Sequence, residues 1–203
     1  MSVRAKARYI LVTLLFYLAA YFSIQSFITV NEYNLSTDID RIIPFVPQFV
    51  WVYHTIVPIL LFTAIVLIQR KDVFLSMIAA FVIASLIMSV FYVVFPSFYP
   101  REPIGVYSLS AGLVELTRMV DGPSNTFPSG HVTFSWLLVF FVGLSEQARK
   151  FKWVYALWAI LIATSTLVLK QHFIIDVFSG ILLASVCYFL AKNTVFERLR
   201  QAN

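Results

Sequence analysis

The chain has one cysteine, Cys187, so no internal disulfide can form, and its place in an apolar segment ties it to no redox compartment. Charge is also scarce: Asp, Glu, Lys and Arg make up 12% of the 203 residues, about half the share of an ordinary soluble domain. Internal repeats, low-complexity tracts and heptads are missing, which excludes repeat arrays and coiled coils. The 15 Lys and Arg against 10 Asp and Glu give a net charge of +5. These basic residues are scattered over short segments rather than gathered in a stripe, so a nucleic-acid partner is not expected.

What the chain has instead is apolar length. Hydrophobic residues make up 60% of it and its mean hydropathy is +0.85, the composition of a protein dissolved in lipid. Six stretches, 9–30, 49–68, 73–95, 131–144, 153–169 and 173–191, approach the roughly 20 apolar residues that cross a bilayer as helix. The expected fold is all-α, a polytopic six-transmembrane-helix bundle in a single domain over 1–203 with its core in 38–191. Arg4, Lys6 and Arg8 before the first apolar run resemble a secretory signal, but Ala19-Ala20 beside Tyr21 and Phe22 is a poor cleavage site, so an uncleaved first helix is expected.

Charge placement orients these helices. Eleven of the fifteen Lys and Arg fall at the N-terminus, at Arg70-Lys71, at Arg149, Lys150 and Lys152, and in the C-terminal tail. The alternate loops hold Arg41, Arg101, Arg118 and Lys170 together with seven of the ten acids. Both termini are therefore expected on the cytoplasmic side, with Arg101, His131, Lys170, His172 and Asp176 facing outward. Two outer loops exceed simple turns. The first, 31–48, opens with Asp38-Ile39-Asp40 and continues with apolar residues broken by Pro44 and Pro47; it is expected to lie along the interface. In the second, 96–129, Leu109, Leu113, Leu116 and Val120 recur at helical spacing, which predicts an interfacial helix before the fourth span.

Two short strings carry the polar chemistry: Pro128-Ser129-Gly130-His131, and His172-Phe173-Ile174-Ile175-Asp176. Ionisable groups abutting membrane spans are expensive to keep and point to function. On a helix, His172 and Asp176 share a face, so the carboxylate can fix the imidazole tautomer and leave the other ring nitrogen free to attack. His131 opens a span behind a Ser-Gly turn, whose exposed N–H groups form an anion cradle. Two histidines, one backed by a carboxylate and one beside such a cradle, suit phosphoryl transfer: one attacks phosphorus, the other protonates the departing oxygen. Arg101 could clamp two phosphate oxygens.

These residues resemble the type 2 phosphatidic acid phosphatase superfamily of membrane lipid phosphatases and phosphotransferases. Its signature runs Lys, six residues, Arg-Pro; then Pro-Ser-Gly-His; then Ser-Arg, five residues, His, three residues, Asp. Pro128–His131 carries the second part intact. Ser165-Thr166, His172 and Asp176 keep the third, with Thr166 where arginine is usual. The first is reduced to Arg101-Glu102-Pro103, with Val94 at the lysine position. His-aromatic-x-x-Asp without Ser-Arg, and the segment Ile43-Pro44-Phe45-Val46-Pro47 with Tyr53, look like the branch that contains inositol phosphorylceramide synthase-like transferases and many bacterial members.

The resemblance implies that His172 is a nucleophile forming a phosphohistidine, oriented by Asp176. It implies that His131 is the general acid, that Arg101, Ser129 and Gly130 bind phosphate, and that no metal or cofactor takes part. Lys170 is added to the phosphate set by argument from its position, as a substitute for a missing cation. The implied substrate is a membrane lipid phosphate at the outer face of a bacterial plasma membrane: phosphatidate, phosphatidylglycerol phosphate or a polyprenyl phosphate or diphosphate. Transfer of the phospho-headgroup to another lipid or alcohol is the near alternative. Two other classes stay open, a metal-dependent hydrolase built on His131, His172 and Asp176, and a non-catalytic membrane protein with a degenerate site. His54 is expected as an interfacial polar residue, Arg118 and Asp121 as surface charges, and Ser179, Gly180 and Ala184 as helix-packing residues.

Overall fold

The computed structural model describes residues 1–27, 33–105 and 107–201, and every regular element among them is helical. The end of the first expected span, 28–30, and the start of the first outer loop, 31–32, lie outside the described residues, as does Val106 in the second loop. Two single-residue bridges, Tyr33 with Ser97 and Phe98 with Ser124, tie the outer loops together.

Helix α1 (Val3–Phe27) is apolar around its circumference and buries only Lys6 and Ile10, which suits a helix that meets lipid on most sides. A short α2 (Asp38–Ile42) follows, started by Thr37 and Asp40 in a reciprocal capping box. The next apolar run, Pro47–Leu67, is a broken helix: a 3-10 turn at Pro47–Phe49, α3 (Val50–Tyr53), α4 (Ile56–Phe62) and a π turn at Thr63–Leu67. The break at His54 and Thr55 has a local cause, since Pro58 has no N–H for the His54 carbonyl four residues back and its ring collides with that carbonyl. At the far end Lys6 is drawn inside, its Nζ donating to the carbonyls of Ile68 at 2.6 Å and Ile65 at 3.1 Å, groups that a helix terminus leaves without partners.

Helix α5 (Lys71–Val94) leads into the outer loop that carries α6 (Leu109–Val120), N-capped by Ser108, whose Oγ accepts from the Ala111 N–H at 3.2 Å. The amphipathic helix expected from the leucine spacing is therefore present: Ala111 and Val114 are buried and Leu109, Leu116 and Met119 are exposed. Then come α7 (Gly130–Leu144), α8 (Lys152–Val168), α9 (Ile174–Ala191) and a terminal α10 (Glu197–Gln201) reached through a π turn.

Among the described residues, five helical runs are long and apolar enough to cross a membrane: Val3–Phe27, Pro47–Leu67, Lys71–Val94, Arg149–Val168 and Ile174–Gln201. The fourth expected span, α7, has 15 residues, about 22 Å at the helical rise and short of a hydrocarbon core of about 30 Å. It is also the most enclosed helix, with ten of those residues buried among α4, α5, α8 and α9. A helix surrounded by other helices need not match the lipid thickness, because its ends meet protein instead of acyl chains.

Candidate active site

The start of α7 is fixed from three sides. Ser97 Oγ accepts from the Phe127 N–H and from Thr126 Oγ1, both at 2.9 Å, and the Tyr92 hydroxyl donates to the Pro128 carbonyl at 3.1 Å. Ser129 is fully buried as the N-cap of α7, its Oγ accepting from the Val132 N–H at 3.5 Å. Gly130 and His131 then present the first turn of the helix to a cavity of about 520 Å³, the size of a small-molecule site.

The second string reaches the same cavity by the turn between α8 and α9. The Thr166 carbonyl accepts from the N–H groups of Gln171 at 3.0 Å and His172 at 3.2 Å, so the chain leaves α8 through Lys170 in the left-handed conformation, φ 56°. Helix α9 begins only at Ile174. His172 and Asp176 therefore do not share a helix face. Instead His172 precedes the helix, and Asp176 in the first turn folds back, its Oδ2 accepting from the Phe173 N–H at 2.8 Å and lying 3.4 Å from His172 Nδ1. The carboxylate still faces one ring nitrogen, but by capping α9 and not along its side.

The two strings are bonded to each other. The Ser129 N–H donates to the Asp176 carbonyl at 3.2 Å. Gly180 makes this approach possible, because a Cβ there would sit 2.9 Å from the Ser129 carbonyl oxygen and 3.1 Å from Val132 Cβ. The packing role expected of Gly180 is the one it has.

His131, His172, Gly130 and Arg101 all line the cavity. Arg101 reaches it braced: one guanidinium nitrogen donates to Gln171 Oε1 at 2.7 Å, the other to the carbonyls of Asp121 and Arg118. Lys170 does not reach the cavity. Its ammonium donates to the Asp40 carbonyl at 2.9 Å and lines a separate cavity of about 710 Å³ on the other side of the α8–α9 turn, and burial there lowers its pKa from the usual lysine value. At the two positions where the resembled signature carries cations, Val94 is 73% exposed on α5 and does not line the cavity, and Thr166 turns its hydroxyl back to the Ala163 carbonyl at 2.7 Å.

Several residues gain a place that sequence reasoning did not give them. Asp121, expected on the surface, lines the cavity, where Tyr21 donates to one of its oxygens and Tyr53 to the other at 3.4 Å. Tyr53 stacks on His131, ring centroids 3.9 Å apart at 25°. His54, expected as an interfacial residue, lines the same cavity with Nε2 2.9 Å from Thr117 Oγ1. Arg118 is no simple surface charge either. It donates to the Glu102 carbonyl at 2.9 Å and the Leu169 carbonyl at 3.3 Å, and burial, then the neighbouring Arg101, lowers its pKa. Asp40 caps α2 and also accepts from the Ile174 N–H at 2.8 Å, so it holds the first turn of α9. Only Asp40 had a sequence signal, the Thr37-x-x-Asp40 pattern of a capping box. Among the described residues no group of three His, Cys, Asp or Glu side chains converges as a metal site.

A family model described as the PAP2 superfamily matches residues 72–200. Among solved structures, the crystal structure of Aquifex aeolicus LpxE is similar in fold, with a TM-score of 0.57 at 19% sequence identity, covering 81% of this chain and 98% of that one. A search of curated proteins gave no match.

Proposed function

This chain belongs to the PAP2 superfamily, whose model covers residues 72–200, and on that premise we propose that it hydrolyses a membrane lipid phosphate through a phosphohistidine at the non-cytoplasmic face. The observation that carries the reading is the convergence of His131, His172, Gly130 and Arg101 on one cavity, with Asp176 behind His172 at 3.4 Å.

The substrate phosphate sits at the α7 N-terminus, where the N–H groups of the first turn and the Arg101 guanidinium hold its oxygens. Ser129 acts from beneath, as the cap that fixes those N–H groups. Lys170 is left out of this set because its ammonium is engaged in the neighbouring cavity. With Nδ1 toward Asp176, His172 attacks phosphorus through Nε2, the phosphorus–oxygen bond to the lipid breaks, and His131 gives the departing oxygen its proton. His131 then takes a proton from water as that water attacks the phosphohistidine, releasing phosphate and restoring both imidazoles. Donors fixed in place before the reaction meet the spreading charge on the phosphoryl oxygens. In this reading α7 is a sixth crossing enclosed by the others, and both termini lie on the cytoplasmic side.

The test is a screen of purified protein against phosphatidate, phosphatidylglycerol phosphate and polyprenyl phosphates, with and without chelator, scoring free phosphate and headgroup transfer. Release of phosphate that is indifferent to chelator, lost in His172→Ala and slowed by about 10²–10⁴-fold in His131→Ala, supports the proposal. Unchanged turnover in His172→Ala sinks the mechanism, and headgroup transfer without phosphate release would make the protein a phosphotransferase.

A further inference from the structure

Asp121 poses a problem for a cavity that receives an anion. Among the described residues it is the one carboxylate on the cavity wall, and a bare negative charge there would repel phosphate. Both of its oxygens are turned instead to phenols, one to Tyr21 and the other to Tyr53 at 3.4 Å. Tyr53 is 2% exposed, placed by the break that Pro58 imposes on its helix, and its ring lies against the His131 imidazole with centroids 3.9 Å apart and planes 25° from parallel. On the other side Tyr21 packs edge-on against Tyr92 at 5.9 Å, and Tyr92 donates to the Pro128 carbonyl. The carboxylate thus ties the ring above His131 to the same scaffold that fixes the turn before it.

We propose that Tyr53, tethered by Asp121, is a positioning residue for His131: its ring holds the imidazole in register for proton transfer and favours the protonated form that the first step consumes. The proposal rests on the reading of His131 as general acid. An aromatic face against an imidazolium attracts it, and a phenol that donates to a carboxylate is a richer ring than a free one. Other charged and titratable groups share its surroundings: His172 before α9 and His54 from the break beside Tyr53 act on the imidazole, and Arg101 and the phenols of Tyr17, Tyr21 and Tyr92 line the same cavity. Burial, and then a protonated His172 or His54, oppose a charge on His131. Tyr53 and Asp121 are the pair that supports it.

A general acid matters in proportion to how badly the leaving group needs a proton. The experiment therefore compares kcat/KM for a lipid alkyl phosphate with that for 4-nitrophenyl phosphate, whose leaving group departs without one, across pH. The variants are Tyr53→Leu, Tyr53→Phe, Asp121→Asn and His172→Ala. Tyr53→Leu is expected to lose roughly 10–100-fold on the alkyl substrate and less than about threefold on the aryl one. Its alkaline limb should move to lower pH by about half to one unit, the size of a cation–π contact. Asp121→Asn and Tyr53→Phe should move the limb the same way by less, and because both keep the shape of the site they decide the matter if Tyr53→Leu does not fold. Equal losses on both substrates with an unmoved limb would overturn the proposal and leave Tyr53 as packing. Retained activity of His172→Ala on both substrates would overturn the proposed function itself, a result separable from the behaviour of Tyr53.

Discussion

Asp40 ties the first outer loop to the distant turn between α8 and α9. Its Oδ2 accepts from the Thr37 N–H at 2.8 Å and the Thr37 hydroxyl at 2.6 Å, its Oδ1 accepts from the Ile174 N–H at 2.8 Å, and its carbonyl accepts from Lys170 at 2.9 Å. At 4% exposure these bonds face little competition from water, so Asp40→Ala should cost about 2 kcal/mol or more, the sum of a lost cap and a buried N–H left without a partner. Because Ile174 and Lys170 flank His172, phosphate release should fall along with the melting temperature. Asp40→Asn, which keeps one acceptor oxygen, should lie between. Tyr99 offers a pH test of the same corner. It stacks on Phe173 at 4.3 Å, and burial, reinforced by Asp40, pushes its pKa from 10.0 to about 12. A phenol whose pKa is raised by folding stabilises the fold fully below pH 10 and loses that contribution as pH climbs to about 12, because the unfolded chain ionises first. Tyr99→Phe keeps the stack and should flatten the fall in melting temperature across that window; an unchanged alkaline slope would show that Tyr99 does not titrate there.

At the scale of elements, the site depends on how closely α7 and α9 approach. Gly180→Ala would drive a Cβ to 2.9 Å from the Ser129 carbonyl oxygen, and since backbone cannot swing aside, the helices must part at a cost of about 1–3 kcal/mol. The Ser129–Asp176 hydrogen bond would lengthen with them, so activity should drop further than stability alone explains. Gly143→Ala is the control: the atoms nearest its Cβ would be those of the Lys152 side chain, from 3.1 Å, a flexible stem that can give, and the helix would gain about 0.5–1 kcal/mol from the added methyl. Thermal denaturation in detergent and phosphate release on both variants check the contrast. The helices themselves were legible in the sequence because apolar length is a local property: a span expected at 73–95 is Lys71–Val94, and one at 173–191 is Ile174–Ala191. The two motif strings were legible for the same reason, each carrying its chemistry within a few residues. The place of Asp121 was not, since Tyr53 and Tyr21 lie 68 and 100 residues from it, and the capping box that marks Asp40 says nothing of its bond to Ile174, 134 residues on. Lys170 was misplaced because a left-handed residue after α8 aims its side chain away from that of His172 two positions on, which spacing cannot reveal.

For the whole molecule, contacts gather the basic segments at one end. Lys6 reaches Ile65 and Ile68, Arg70 pairs with Glu146 at 3.0 Å, and the Arg70 guanidinium lies 5.9 Å from the Phe196 ring, which brings the N-terminus, the α4–α5 turn, the α7–α8 turn and the C-terminal segment together. Arg101, Arg118 and Lys170 lie at the opposite end with the cavity, engaged by backbone carbonyls. A bilayer would keep the end richer in Lys and Arg on the cytoplasmic side, so the cavity should open outward. Single cysteines test this against a silent background, because Cys187 is fully buried and should not react in the folded chain. Tyr107, 68% exposed in the outer loop, and Lys150, exposed in the turn before α8, mark the two ends. In intact cells a membrane-impermeant maleimide should label Tyr107→Cys at once and Lys150→Cys only after lysis. The reverse pattern would turn the cavity to the cytoplasm, and the phosphate released from lipid would then be delivered inside the cell.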